Sequence, residues 1–392
     1  TRTFSVERPI VYAEESSVAD ADTSVTKRPT DLVTAVNLMG SYDDSILSGT
    51  AYGMGIEYLG LDSGAEKWAH GTGRKGARTA RDSLVSFIAD GANMSITNKG
   101  YKDMSSYDGT VGADGSLSVT DFGDTPYGDE SWQKLVEQLP MSEMTNLILY
   151  GGYMTSAAPS VGKEATTDSD GPCGIAFIFR QGEFPGVSYP CYTVVAATWN
   201  PSVAYAFGDA VSLESESYGL TGWYAPGANI HRTPFGGRNF EYCSEDPLIT
   251  GICAANTAAA ATKNGTPTYM KHYALNEQES NRGNNLLTWT TEQAAREIYL
   301  RAFELVVKAD TKYGLEYSPL GVMTSFNYVG DRWAGASYQL CTGYLRTEWG
   351  FEGTVVTDYF GNSAYMFAAC AIRAGNDMML GTIAMSLGDT SS

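Results

Sequence analysis

The stretch Leu345-Arg-Thr-Glu-Trp-Gly-Phe-Glu-Gly-Thr-Val-Val-Thr-Asp-Tyr-Phe-Gly361 decides the fold. It closes a helix, makes a strand and then presents an acid. Apolar residues at helical spacing (Leu340, Cys341, Tyr344, Leu345) predict a helix over Ser337 to Glu348, and Gly350 stands where a left-handed cap would end it. The β-branched run Thr354-Val-Val-Thr357 reads as a buried strand, with Asp358 at its C-terminal end. An α/β barrel presents a catalytic group in this way, at a strand's exit. Read alone, Asp358 serves equally well as the cap of a following helix.

Working outward, the same alternation repeats. Strands are predicted at Gly174–Phe179, Val194–Thr198, Gly222–Ala225, Pro267–Met270 and Gly321–Thr324. Helices are predicted at Trp132–Gln138, Ser142–Tyr150 (with Ser142 as cap), Pro201–Tyr218, Asp246–Thr262, Thr291–Val307 and Ser363–Arg373. Short strands alternating with amphipathic helices mean a parallel sheet, closed or doubly wound. Residues 126–392 form this unit. Residues 1–125 are weakly patterned, with strand-like Phe4–Val6 and Ile10–Tyr12 and a loop at Ser105–Ser118; they read as a linker or the remnant of an upstream β-rich domain. Gly71-Thr-Gly73-Arg-Lys-Gly76 matches GxGxxG, but no apolar strand precedes it, so no dinucleotide site follows.

Composition narrows the partners. The formal charge is −19 with a pI near 4.5, which argues against nucleic acid or an anionic membrane surface. The six cysteines form no CxxC pair and read as buried free thiols. His70, His231 and His272 are too scattered for a zinc motif, and no cofactor or metal is called for. No transmembrane run or secretory leader is evident, which favours a cytoplasmic setting. The chain begins at Thr1 without Met, consistent with a missing upstream part.

Polar residues gather just after the strands: Thr198-Trp-Asn200, Asn229 to Arg232, Arg238-Asn239, Lys271-His272, Ser325-Phe-Asn327 and Asp358. In a TIM barrel these positions converge on one face. Each taken singly fits a cap, a loop hydrogen bond or a surface ion pair. Together they suit recognition of a neutral polyol, with Asp358 as a carboxylate nucleophile.

Trp199-Asn-Pro201, the run Pro226-Gly-Ala-Asn-Ile-His-Arg-Thr-Pro-Phe-Gly-Gly-Arg-Asn-Phe-Glu-Tyr-Cys-Ser-Glu-Asp-Pro247, Lys271-His-Tyr-Ala-Leu-Asn-Glu-Gln-Glu-Ser-Asn-Arg282, Val322-Met-Thr-Ser-Phe-Asn327 and Val355-Val-Thr-Asp-Tyr359 resemble glycoside hydrolase family 3, its β-glucosidase branch in particular. The resemblance spans about residues 130 to 381 in order and spacing. It implies a (β/α)8 TIM-type barrel and a retaining, exo-acting β-glycosidase that releases terminal β-glucosyl units. It maps Asp358 onto the nucleophile, Asp170 onto the acid that holds the sugar's outer hydroxyls, and Arg238, Lys271, His272 and Arg282 onto further sugar-binding positions. Phe326 stands where the family usually has Tyr beside the nucleophile. Trp333 or Trp289 is expected to stack on the aglycone.

The resemblance also implies what lies elsewhere. The family's acid/base Glu normally comes from a second α/β domain, and the short stretch after Asp358 cannot hold one. The expectation is a fragment of a longer, permuted enzyme whose acid/base sits outside these residues. Arg, commonly found shortly after the Asp-Gly-Pro motif, is displaced here to Arg180. Glu277 and Glu279 are the nearby acids to check, both expected behind the site rather than in it. A sugar-binding barrel without hydrolysis, xylosidase-type specificity and a homodimer stay open.

Overall fold

The computed structural model describes residues 115–123, 125–176, 186–283, 286–288, 290, 292–309, 314–316, 319–330, 332–360, 366 and 368–381. The expectations for residues 1–114, the GxGxxG at 71–76, Arg180 and Trp289 lie outside them.

Nine short strands are found among the described residues. They are β1 (Asp168–Ser169), β2 (Gly222–Trp223), β3 (Tyr269–Tyr273), β4 (Leu287–Thr288), β5 (Gly321–Thr324), β6 (Tyr328–Val329), β7 (Arg332–Trp333), β8 (Thr354–Tyr359) and β9 (Met378–Leu380). β3, β5, β8 and β9 pair in that order, all parallel, and β1 pairs parallel with β2. Backbone hydrogen bonds join the two groups. Trp223 N–H donates to Pro267 C=O, and Ala228 N–H to Lys271 C=O. On the far side, Gly151 N–H donates to Met379 C=O and Gly152 N–H to Gly381 C=O. The chain from 151 to 155 then meets the run into β1, through Asp168 N–H to Tyr153 C=O and Thr166 N–H to Thr155 C=O. The pairing thus returns to its start and closes an α/β barrel of the TIM type.

One wall departs from the all-parallel pattern. Thr155 faces Thr166 while Tyr153 faces Asp168, so segment 151–155 runs antiparallel to β1. It joins β1 through a hairpin-like turn at Ala158–Lys163 that holds one short 3-10 turn, Pro159–Val161, and no α-helix.

Helices α1 (Ser131–Val136), α2 (Met141–Leu149), α3 (Tyr192–Ala197), α4 (Pro201–Ser217), α5 (Pro247–Lys263), α6 (Arg301–Val307) and α7 (Ala368–Ala374) flank the strands. α4 and α5 start on Asn200 and Asp246, whose side chains accept from backbone N–H groups of the first turn, with Pro at N1 of each. The main core gathers Met270, Tyr273, Phe303, Val322, Tyr344 and Val355 between strands and helices.

Three expectations are corrected. Val194–Thr198 is not a strand; it lies in α3, which buries Tyr192, Val195 and Ala196 at helical spacing and leaves Val194 exposed. A five-residue apolar run carries no period that separates helix from strand. Of Gly174–Phe179, the described part makes one bridge from Ala176 to Asp170 and no barrel strand. The strand of that region is β1, polar in sequence yet fully buried. Ser142 caps nothing, because α2 starts one residue earlier and has no side-chain cap.

The helix before β8 is a π-helix, Gln339–Glu348. Gly350 ends it at φ +77°. Its N–H donates to Arg346 C=O, and Phe351 N–H donates to Leu345 C=O, a closure one residue wider than the usual αL cap because the helix itself is wider.

Candidate active site

β8 ends the core run Val355–Thr357 and lifts Asp358 to the barrel's C-terminal face, 6% exposed. Its own turn holds one oxygen: Tyr359 N–H donates to Oδ1 at 2.7 Å. The other oxygen, Oδ2, faces the Arg282 guanidinium, with Nη1 at 3.2 Å, and has His272 Nε2 at 3.6 Å. Arg282 is itself positioned from two sides. Its Nε lies 3.1 Å from Glu279 Oε2, and its guanidinium lies over the Phe326 ring, 4.7 Å from the centroid.

β3 supplies Lys271 and His272, each 2% exposed. Lys271 Nζ donates to Asp170 Oδ1 across the barrel. Asp170 follows β1, and Gly171 N–H donates to the same oxygen at 2.7 Å. Gly171 is at φ +101°, with the carbonyl of Gly174 where a Cβ would go, so the Asp-Gly-Pro turn demands glycine. Burial alone would raise the Asp170 carboxyl, but Lys271, the Gly171 N–H and Arg238 together hold it below its ordinary value. It is therefore ionised near neutral pH and only accepts hydrogen bonds.

Arg238 is held by a bidentate pair to Glu241, Nε at 2.7 Å and Nη2 at 2.5 Å. Its Nη1 lies 3.3 Å from His272 Nε2. A guanidinium has no acceptor, so this contact requires the lone pair on Nε2 and puts the imidazole proton on Nδ1, which donates to Tyr242 Oη at 2.9 Å. Burial, followed by the charges of Arg238, Arg282 and Lys271, holds His272 well below its ordinary pKa, so the ring is neutral. Asn229 clamps its backbone, accepting from His272 N–H at 2.7 Å and donating to its C=O at 3.0 Å.

These groups surround one cavity of about 850 Å³, lined on its polar side by Asp170, Arg238, Lys271, His272, Arg282 and Asp358. Six of the expected site residues therefore meet in one place, and Phe326 lines it with them. Trp333 does not join them. It is 2% exposed, and its indole N–H donates to Ser325 C=O at 2.9 Å, because the β6–β7 hairpin turns it into the wall. Glu277 and Glu279 do not line the cavity either. Glu277 is half-buried and accepts from Asn229 Nδ2 at 3.2 Å, and desolvation raises its pKa to about 7.

Three contributors escaped the sequence reading: Glu241 and Tyr242, which hold Arg238 and His272, and Tyr153, which reaches the cavity from segment 151–155. Glu241 and Tyr242 sit within the quoted motif run, so their motif membership was a usable signal. Tyr153 has none, since its neighbours in sequence are Gly, Gly, Met and Thr. Among the described residues no group of three or more His, Cys, Asp or Glu could hold a metal ion. All six cysteines are free thiols, four of them buried.

The family model for the glycosyl hydrolase family 3 N-terminal domain matches residues 171–386. The chain belongs to glycosyl hydrolase family 3. Relatives of family 3 agree. The chain is 37% identical to β-glucosidase A of Butyrivibrio fibrisolvens over 253 residues, 64% of this chain and 28% of that protein. It is 36% identical to β-glucosidase B of Emericella nidulans over 247 residues, 63% of this chain and 28% of that one. Among solved structures, β-glucosidase 3B from Thermotoga neapolitana in complex with α-D-glucose superimposes with a TM-score of 0.57 at 31% identity, covering 64% of this chain and 36% of that one. A β-glucosidase from Paenibacillus barengoltzii gives 0.60 at 28% identity, covering 70% and 31%. The chain thus spans about 28% of the length of the curated family 3 relatives it matches first.

Proposed function

We propose that this chain carries the nucleophile half of a retaining, exo-acting β-glucosidase. A terminal β-glucosyl unit enters the cavity, its outer hydroxyls held by Asp170 with Lys271 and the others by Arg238, His272 and Arg282. The Asp358 carboxylate attacks C1, the C1–O bond to the aglycone breaks, and a glycosyl-enzyme ester forms. Water attacks C1 in the second step, releasing β-glucose and restoring the carboxylate. The single observation that carries this reading is Asp358 itself. It stands at a strand's exit, in a cavity, with Arg282 at 3.2 Å and a ring of hydroxyl-binding groups around it.

The reaction also needs a proton for the leaving oxygen. The other carboxylates among the described lining residues, Asp170 and Glu241, are already bound to Lys271 and Arg238. We assign the acid/base to a second α/β domain outside these residues, as the fractional span of the relatives suggests. Without it, an unactivated glycoside should react roughly 10²–10⁴-fold more slowly, while an activated aryl glucoside loses less.

The test uses the full chain with an aryl β-glucoside and its 2-deoxy-2-fluoro analogue. The fluoro sugar should add one glycosyl mass on Asp358. Undiminished hydrolysis by Asp358→Ala would sink the assignment. A second reading, a barrel that binds sugar without hydrolysis, is favoured by the engagement of Asp170 and Glu241 in ion pairs. Glucose binding by calorimetry with no turnover of an activated glycoside, and no labelling of Asp358, would select it.

A further inference from the structure

Asn276, Glu279 and Arg282 follow one another at a spacing of three in the chain after β3, and the inference about them rests on the β-glycosidase reading above. Arg282 N–H donates to Glu279 C=O at 3.2 Å, and Asn281 takes φ +63°, so residues 279–282 close a single turn. That turn sets the Glu279 and Arg282 side chains next to each other. Asn276, fully buried, is the second partner of Glu279.

Glu279 meets a donor on each oxygen. Asn276 Nδ2 donates to Oε1 at 3.2 Å, and Arg282 Nε lies 3.1 Å from Oε2. Two donors need two acceptor oxygens, so a glutamine here would turn an N–H toward one of them. Asn276 has its own anchor, because the same Nδ2 lies 3.4 Å from Tyr242 Oη. The guanidinium is thus held at Nε by Glu279 and on its face by Phe326, which leaves Nη1 aimed at Asp358 Oδ2, 3.2 Å away. Without the Nε contact the planar fork is free to turn over the Phe326 ring, and Nη1 then swings off Oδ2.

We propose that Glu279, braced by Asn276, is a positioning residue that aims Arg282 at the Asp358 carboxylate. Its whole effect on the reaction passes through the guanidinium.

Two readouts on the full chain test this. The first is the rate at which the 2-deoxy-2-fluoro glucoside labels Asp358 in wild type, Glu279→Gln, Arg282→Met and the double variant, with a thermal melt of each to confirm folding. Glu279→Gln should label about tenfold more slowly. That is short of the about 10²-fold cost of misplacing a reacting group by roughly 1 Å, because Phe326 still holds the guanidinium's face. In the Arg282→Met background, Glu279→Gln should slow labelling no further, since two residues that act through one contact are not additive. A Glu279 that served the fold alone would slow both backgrounds alike. The second readout is the Nε–H proton resonance of Arg282 in the free protein, identified by its absence from Arg282→Met. It should move upfield in Glu279→Gln as the carboxylate partner is lost. An unmoved resonance overturns the proposal, as does labelling at the wild-type rate in Glu279→Gln or equal slowing in both backgrounds. The glycosidase reading fails by a different observation: a wild-type label that falls elsewhere than on Asp358, while the resonance still shifts.

Discussion

Arg282 bridges two acids: Nη1 lies 3.2 Å from Asp358 Oδ2, and Nε lies 3.1 Å from Glu279 Oε2. The guanidinium thus fixes Asp358 in place and keeps Glu279 from repelling it. Arg282→Met removes the charge but keeps a stem that can rest on Phe326. The rate at which the 2-deoxy-2-fluoro glucoside labels Asp358 should fall by about 10²-fold, the usual scale for losing one preorganised electrostatic partner. Arg282→Lys should recover only part of the rate, because an ammonium cannot span both carboxylates. A labelling rate within a factor of two of wild type in Arg282→Met would show that Asp358 does not depend on this pair.

Tyr242 receives the proton of His272 Nδ1 at 2.9 Å, and Asn276 Nδ2 lies 3.4 Å from the same oxygen. Tyr242→Phe leaves a buried imidazole N–H without this acceptor. Stability should fall by about 1–3 kcal/mol in urea unfolding. The larger effect should be on glucose affinity, since His272 loses the contact that holds its ring at Nδ1. Unaltered affinity with lowered stability would assign Tyr242 to the fold alone.

Glu277 gives a pH test with a defined sign. Burial raises its pKa to about 7 in the folded chain, against an ordinary value of 4.5. The folded state therefore binds more protons than the unfolded state between those values, and this contribution to stability is full below pH 4.5 and lost as pH rises through about 7. Glu277→Gln keeps the acceptor for Asn229 and removes the ionisation. The variant should be more stable than wild type at pH 8, by on the order of 3 kcal/mol, with the gap closing below pH 4.5. His272 works in the opposite direction. Its folded pKa is depressed, so its contribution is present above about 6.5 and is lost as pH falls below that value. Its C2–H proton resonance should accordingly hold the neutral-form position from pH 8 down through pH 6. Urea midpoints of wild type and Glu277→Gln across pH 4 to 8 check the carboxyl, and proton NMR checks the imidazole.

Much of the barrel was legible because its walls are apolar runs of the right length. Gly321–Thr324 came out as read, and Thr354–Thr357 grew by two residues to include Asp358 and Tyr359. The misreadings share a cause. β1 is Asp168–Ser169, two buried polar residues that no hydropathy pattern marks, and α3 is an apolar run too short to show its period. Trp333 followed a strand, as a stacking residue should, yet its hairpin faces the wall.

The sequence by itself determined the strand-to-acid order, and with it Asp358 and the polar residues at the strand ends. Those are local facts, set by composition and spacing along one stretch. Only the tertiary structure decided who holds whom. Lys271 meets Asp170 across 101 residues of chain, and Arg282 meets Asp358 across 76. Such pairs depend on which strands lie side by side once the barrel closes. Tyr153 is the clearest case. Nothing near it in sequence marks it, and it reaches the cavity because an antiparallel wall brings it beside β1 and Asp170.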